Sequence, residues 1–196
     1  PTGAKRSTDV SYVPAALERG AELVTAARVD RVDIVAGRAR GVTATLAGPP
    51  FAKVKPRLVV KADAVVVAGG TLMTPLLLRR SDACLASGML GKNLSIHPAT
   101  KVMALFDEQV DQSQGIPQGV AIDEFADDGL MFEGSSLPLD VAALGIPWTG
   151  ARFTEIIERY ANLATFGFMI QDTSRGEVRA GRRGSPLMLY SMNEVD

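Results

Sequence analysis

The residues best placed to do chemistry are two glycines that close an apolar run, Ala64-Val65-Val66-Val67-Ala68-Gly69-Gly70. Glycine has no Cβ, so it adopts φ > 0 readily and lets a ligand approach the main chain. A strand ending in bare backbone, with a helix starting just beyond it, makes a seat for an anion such as a pyrophosphate. The same residues also suit a plain strand, turn and helix, and the phosphate fingerprint GxGxxG is absent from the chain. On pattern alone both readings stand.

Other residue types are less directive. His97 is the only histidine, and histidine is the residue type most often used as a general base. The adjacent carboxylates Asp107-Glu108, Asp123-Glu124 and Asp127-Asp128 fall in loop-like sequence and read as solvated pairs, with no metal site expected. Met103, Phe166, Phe168 and Met169 are candidates for an apolar substrate chamber, with core packing as the alternative; methionines adapt to irregular apolar ligands, which favours a bulky or lipid-like molecule. The single cysteine, Cys84, excludes an internal disulfide and a cysteine metal cluster, and suits a cytoplasmic setting.

The elements that must position these residues read as follows. Ser7 or Ser11 caps a short helix over Val13, Ala16 and Leu17, with Pro14 in the first turn and Gly20 just past the end. Residues 22–35, 40–46 and 58–60 form three strands with a turn at Gly37, an antiparallel meander. The continuous apolar run 64–68 is expected to be a core strand covered on both faces. Thr74 and Pro75 then supply an N-cap and a first-turn proline, and Arg79 and Arg80 sit near the carboxyl end of that helix. Beyond residue 99 the pattern turns to strands at 101–107, 120–123, 130–133, 165–172 and 187–192. One helix is expected over 154–164, and a turn at Ser174-Arg175-Gly176 leads into a strand over 177–179. The fold class expected is α+β/α/β, with a boundary near residue 99: a meander, core strand and helix in 1–99, then an antiparallel sheet with a covering helix in 100–196.

Composition bounds the function. The 196 residues are 46 % hydrophobic and 22 % charged, an ordinary globular balance. A formal net charge of -1 leaves no basic excess for a nucleic-acid backbone. No apolar run reaches the roughly 20 residues that span a bilayer. The chain opens at Pro1 and stops at Asp196 within structured-looking sequence, so it is expected to be a piece of something larger.

Three blocks carry a resemblance: Gly3-Ala4-Lys5-Arg6-Ser7-Thr8 with Tyr12; Ala68-Gly69-Gly70-Thr71-Leu72-Met73-Thr74-Pro75-Leu76-Leu77-Leu78-Arg79-Arg80-Ser81; and Gly91-Lys92-Asn93-Leu94-Ser95-Ile96-His97-Pro98. Over about residues 1–107 the chain resembles glucose-methanol-choline oxidoreductases, leaning toward the bacterial branch similar to long-chain alcohol and sterol oxidases. It departs from the family's Ser-Gly-aliphatic-Gly continuation, having Ser81-Asp82-Ala83-Cys84 instead.

The resemblance implies FAD as cofactor and a two-domain flavoprotein in which 1–99 is part of the FAD domain and 100–196 part of the substrate domain. It implies oxidation of a small-molecule alcohol by hydride transfer to the flavin, with the electron acceptor left open. By the same likeness Val29 matches the position whose backbone meets the adenine. Ala68, Gly69 and Gly70 match the loop beside the cofactor's phosphate and ribose, and Thr74 and Pro75 the helix start behind it. Asn93 and His97 match a motif that braces the FAD domain against the substrate domain. The family's catalytic histidine falls beyond Asp196, so no catalytic residue is assigned here and the isolated chain is expected to be inactive. The alternatives are a pyridine-nucleotide reductase with two dinucleotide domains, and a non-catalytic binding domain of the same fold.

Overall fold

The computed structural model describes residues 6–49, 51, 54–114 and 118–196. Gly3, Ala4 and Lys5 of the first motif, and Pro50, lie outside the described residues. The chain divides into two compact units, Pro1–Gly91 with Arg179–Leu187, and Lys92–Val178 with Met188–Asp196.

In the first unit, helix α1 (Tyr12–Glu18) follows Ser11 and carries Pro14 in its first turn. It ends as the glycine predicts: Gly20 has φ +86°, its N–H donates to the Leu17 carbonyl, and Ala21 N–H reaches back to Ala16. Strands β1 (Ala27–Val35), β2 (Arg38–Leu46) and β3 (Arg57–Lys61) pair antiparallel in the order β1-β2-β3, the expected meander. Ala36 and Gly37, at φ +49° and +75°, form the two-residue turn that matches strand twist. Asp30 and Arg40 have no Cα partner in the β1–β2 register, so β1 bulges at Asp30 and β2 at Arg40. Gly41 follows at φ +143°, where a Cβ would lie 1.9 Å from the Val60 carbonyl oxygen, so the close approach of β3 admits only glycine.

Two expectations fail in this unit. The run Ala64–Ala68 is not a strand: it has no ladder partner among the described residues, and Val66 is 90 % exposed. An apolar run reports that a strand would be covered on both faces, and the described residues supply no parallel neighbour to cover it. The helix beyond it, α2 (Gly70–Arg80), begins four residues before Thr74. Gly69 is its N-cap, and Pro75 lies inside it rather than in its first turn. Gly70, at φ +73°, bends the chain into the helix early. Pro75 then forgoes one bond, to the Thr71 carbonyl near the amino end. Leu76, 2 % exposed, is the buried anchor of α2, which packs on β1; burial of such a side chain is worth about 2 kcal/mol.

The second unit holds β4 (Lys92–Leu94), β5 (Ala99–Leu105), β6 (Ala121–Ile122), β7 (Leu130–Ser135), α3 (Leu139–Gly145), α4 (Ala151–Glu158), β8 (Leu163–Ile170), β9 (Gly176–Ala180) and β10 (Pro186–Leu189); the hairpin tip 179–187 counts with the first unit. Its main sheet is antiparallel in the order β5-β8-β7-β6, and β10-β9-β4 form a second. The helix read over 154–164 is shorter. It starts at Ala151 after Gly150, gives way to a 3-10 turn at Tyr160–Asn162, and Leu163 and Ala164 already belong to β8. Helix α3 is additional to the sequence expectation. Leu163 (2 %), Ala142 (0 %) and Ile146 (9 %) mark the core.

Register decides what β8 offers. Met103 pairs with Thr165 and Met169 with Met131, while Phe166 pairs with Val102 and Phe168 with Phe132. Successive side chains alternate between faces. Met103 and Met169 therefore share one face, and Phe166 and Phe168 share the other. A single chamber lined by all four residues is thereby excluded, and they divide between two separate surfaces.

Candidate functional site

The amino end of α2 is the first candidate. Its N-cap, Gly69, provides no side-chain bond to the free N–H groups of the first turn. Gly69 and Gly70 are exposed, and a Cβ built on Gly70 would meet nothing within 4 Å. Thr74 folds back on this bend, its Oγ1 being 3.3 Å from where a Gly69 Cβ would stand. Uncapped N–H donors at the positive end of an 11-residue helix suit a negatively charged oxygen. The bend is open, so the chemistry of this donor set fits the phosphates of a dinucleotide.

Ala68, Gly69, Gly70, Thr74 and Pro75 thus come together around one bend. Val29 does not join them. It lies half-buried on β1 beside the carboxyl end of α2, where Arg80 Nε donates to the Asp30 carbonyl at 3.2 Å. Eleven residues of helix, about 16 Å at 1.5 Å each, separate the two places.

Sequence reasoning passed over what holds α2. Ser81 Oγ accepts the Val32 N–H at 2.8 Å and donates to the Leu77 carbonyl at 2.8 Å. Together with Arg80 it binds the outer edge of β1, which would otherwise stand unpaired. Asp30, on the bulge, is held below the usual carboxylate range by the Thr45 hydroxyl, against a smaller opposing effect of burial, and further by Arg28.

The second unit presents Asn93 within β4 and His97 on the segment between β4 and β5. Asn93 takes φ +62° at an irregularity of the β4–β9 pairing, a left-handed position that asparagine tolerates. His97 is exposed and lines a cleft of about 450 Å³ with Ser95, Met131, Met169, Gln171 and Asp172. Asp172, 5 % exposed, organises this loop: it accepts the Tyr190 hydroxyl, the Ser95 hydroxyl at 2.8 Å and the Ile96 N–H at 3.1 Å. The Tyr190 bond is the main cause that lowers the Asp172 pKa, against desolvation. In return Tyr190 is pushed up to about 12, by burial first and then by the same bond. Asp196 clamps the neighbouring turn through the N–H groups of Thr173 and Ser174, and its pKa is lowered, chiefly by the Ser174 hydroxyl. These partners lie 76 and 77 residues apart for Asp172, beyond any local spacing signal. Among the described residues no group of three or more His, Cys, Asp or Glu is placed to hold a metal.

The GMC oxidoreductase family matches residues 1–99, which contain the α2 bend. An uncharacterized GMC-type oxidoreductase of Mycobacterium tuberculosis is 38 % identical over 98 % of this chain and 29 % of its own length. A GMC-type oxidoreductase of Sinorhizobium fredii is 34 % identical over 91 % of this chain and 34 % of its length. A long-chain-alcohol oxidase of Arabidopsis thaliana is 26 % identical over the whole chain and 27 % of its length. The chain thus spans about a third or less of these relatives. The family's amino-terminal domain is its FAD-binding domain, and the half of the sequence that carries the Gly69-Gly70 bend is the half that matches it: the chain belongs to the GMC oxidoreductase family of FAD flavoproteins.

Proposed function

We propose that this chain is the central part of an FAD-dependent enzyme that oxidises an alcohol, residues 1–99 contributing to the cofactor domain and 100–196 to the substrate domain. The observation that carries this reading is the open, uncapped amino end of α2 at Gly69-Gly70 within the family-matched half. Here the first-turn N–H groups of α2 would bind a phosphate oxygen of FAD, with Ala68 bordering it and Thr74 and Pro75 stiffening the turn behind. Val29 would meet the adenine end, a helix length away. FAD, when bound, supplies the hydride acceptor.

Asn93 and His97 act as supports: the Asp172 bonds to Ser95 and Ile96 fix the loop that carries His97. The apolar part of the alcohol lies on the face of the main sheet that bears Val102, Phe132, Phe166 and Phe168, of which Val102 is 56 % and Phe166 46 % exposed. The long-chain-alcohol oxidases among the relatives support an apolar substrate.

The test is purification of the longer protein that carries this segment, as wild type and as Gly70→Asp. Wild type should be yellow with bound flavin and should bleach on addition of a long-chain alcohol. A Cβ at this position meets no atom within 4 Å, and aspartate tolerates the φ of +73° at a cost of about 1 kcal/mol; the aspartate brings a negative charge to the phosphate seat and should lose the flavin while circular dichroism stays unchanged. A colourless wild type that refuses added FAD refutes the reading. The isolated 196-residue chain is expected to oxidise no alcohol.

A further inference from the structure

The main sheet's other face, the one with Met103, carries a cleft of about 1200 Å³ beneath α3 and α4, larger than the roughly 300–1,000 Å³ of ordinary small-molecule sites. Met103, Leu105, Val141, Leu144, Ile146 and Trp148 give it an apolar lining. Helix α3 carries one charged residue, the exposed Asp140 of its first turn, and is otherwise apolar. Ala142 is fully buried in the core, while Leu144 remains 88 % and Val141 44 % exposed. Exposed apolar side chains of this size form a surface suited to an apolar ligand.

The charged residues of the cleft are Lys101, Arg152 and Glu155, two cations against one carboxylate. Lys101 Nζ donates to the neutral Ser135 hydroxyl at 3.1 Å, and the Arg152 guanidinium lies 4.1 Å from the centre of the Trp148 ring. Among the described residues neither cation makes an ion pair. An apolar trough with a net excess of one positive charge matches an amphiphile with an anionic head, and a guanidinium suits a carboxylate through two parallel bonds.

We propose that this cleft binds one long-chain carboxylate, its alkyl chain against Met103, Val141, Leu144 and Trp148 and its head at Lys101 and Arg152. Every lining residue falls within 101–163, outside the family-matched segment and in the other compact unit from the α2 bend. The site therefore stands or falls independently of the flavin reading.

Trp148 is the only tryptophan of the sequence, so its fluorescence reports on this cleft alone. The experiment titrates the full chain with monomeric dodecanoate, dodecanol and dodecylammonium. Dodecanoate should give a saturable blue shift at one equivalent, with dodecylammonium at least tenfold weaker. Leu144→Glu, at a solvent-exposed position that leaves the core intact, should abolish the response with unchanged circular dichroism. The double variant Lys101→Gln/Arg152→Gln, which removes both head-group cations, should weaken dodecanoate at least tenfold and leave dodecanol unchanged. The proposal is overturned by the lack of a saturable response to dodecanoate, by dodecylammonium binding as well as dodecanoate, or by Leu144→Glu without effect. A Trp148 shift with phosphatidylglycerol vesicles but none with monomeric dodecanoate would also overturn it, since the cleft would then face a lipid surface.

Discussion

The hydroxyl of Ser81 stands between the last turn of α2 and the backbone of Val32 on β1, 2.8 Å from the Val32 nitrogen and 2.8 Å from the Leu77 carbonyl oxygen. Val32 is 6 % exposed, so water is a poor substitute for that oxygen. Ser81→Ala should cost about 1.5 kcal/mol, the penalty of a buried N–H left without an acceptor. A urea midpoint equal to wild type would show that the serine holds nothing.

Asp82 occupies the left-handed position after α2 at φ +53°. Its N–H donates to the Arg79 carbonyl, and Ala83 N–H donates to the Leu78 carbonyl. Glycine is the ordinary occupant of this place, and the aspartate pays a conformational cost there as well as putting negative charge at a helix carboxyl end. Asp82→Gly should stabilise the chain by about 1 kcal/mol, read as a rise in Tm. The departure from the family's Ser-Gly-aliphatic-Gly continuation is thus the same helix stop made with a different residue, and an unchanged or lower Tm would contradict this.

Asp172, Asp196 and Tyr190 set the pH profile. Both carboxylates titrate lower in the folded chain than the ordinary 3.8, so their stabilisation is complete above that value and is lost as pH falls through the lowered folded values. Tyr190 is raised from 10.0 to about 12, so its contribution is complete below pH 10 and fades between there and about 12. Tm should therefore be level from about pH 5 to 9 and fall at both ends. Tyr190→Phe should remove much of the alkaline fall and shrink the acid one, because the Tyr190 bond is the main cause that lowers Asp172. An alkaline limb identical in the variant would rule out this coupling.

Thr165 is 3 % exposed, and its Oγ1 has no hydrogen-bond partner among the described residues. Valine has nearly the same shape and leaves no hydroxyl to desolvate. Thr165→Val should be more stable by about 1 kcal/mol. A loss of stability on thermal melting would mean that the hydroxyl is satisfied.

What could be read from the sequence followed physical range. The meander was legible because alternation and a glycine turn are local signals, and so was the stop of α1 at Gly20. The run 64–68 misled because hydrophobicity reports cover rather than pairing, and the cover depends on neighbours the pattern does not name. Thr74-Pro75 misled for a related reason. It is a sound helix-start signal, but Gly69-Gly70 had already turned the chain. At the candidate site the α2 bend was legible from its glycines. The Asp172 cluster was not, because Ser95, Ile96 and Tyr190 meet only after the strands pair.

The alternation along β8 has a consequence for how this sequence can vary. Phe168 and Met169 are consecutive in the chain yet furnish opposite surfaces, so drift at one leaves the other's surroundings nearly untouched. A single-codon deletion upstream within the strand would exchange the two, putting Met169 on the aromatic side and Phe168 on the side of Met103 in one step.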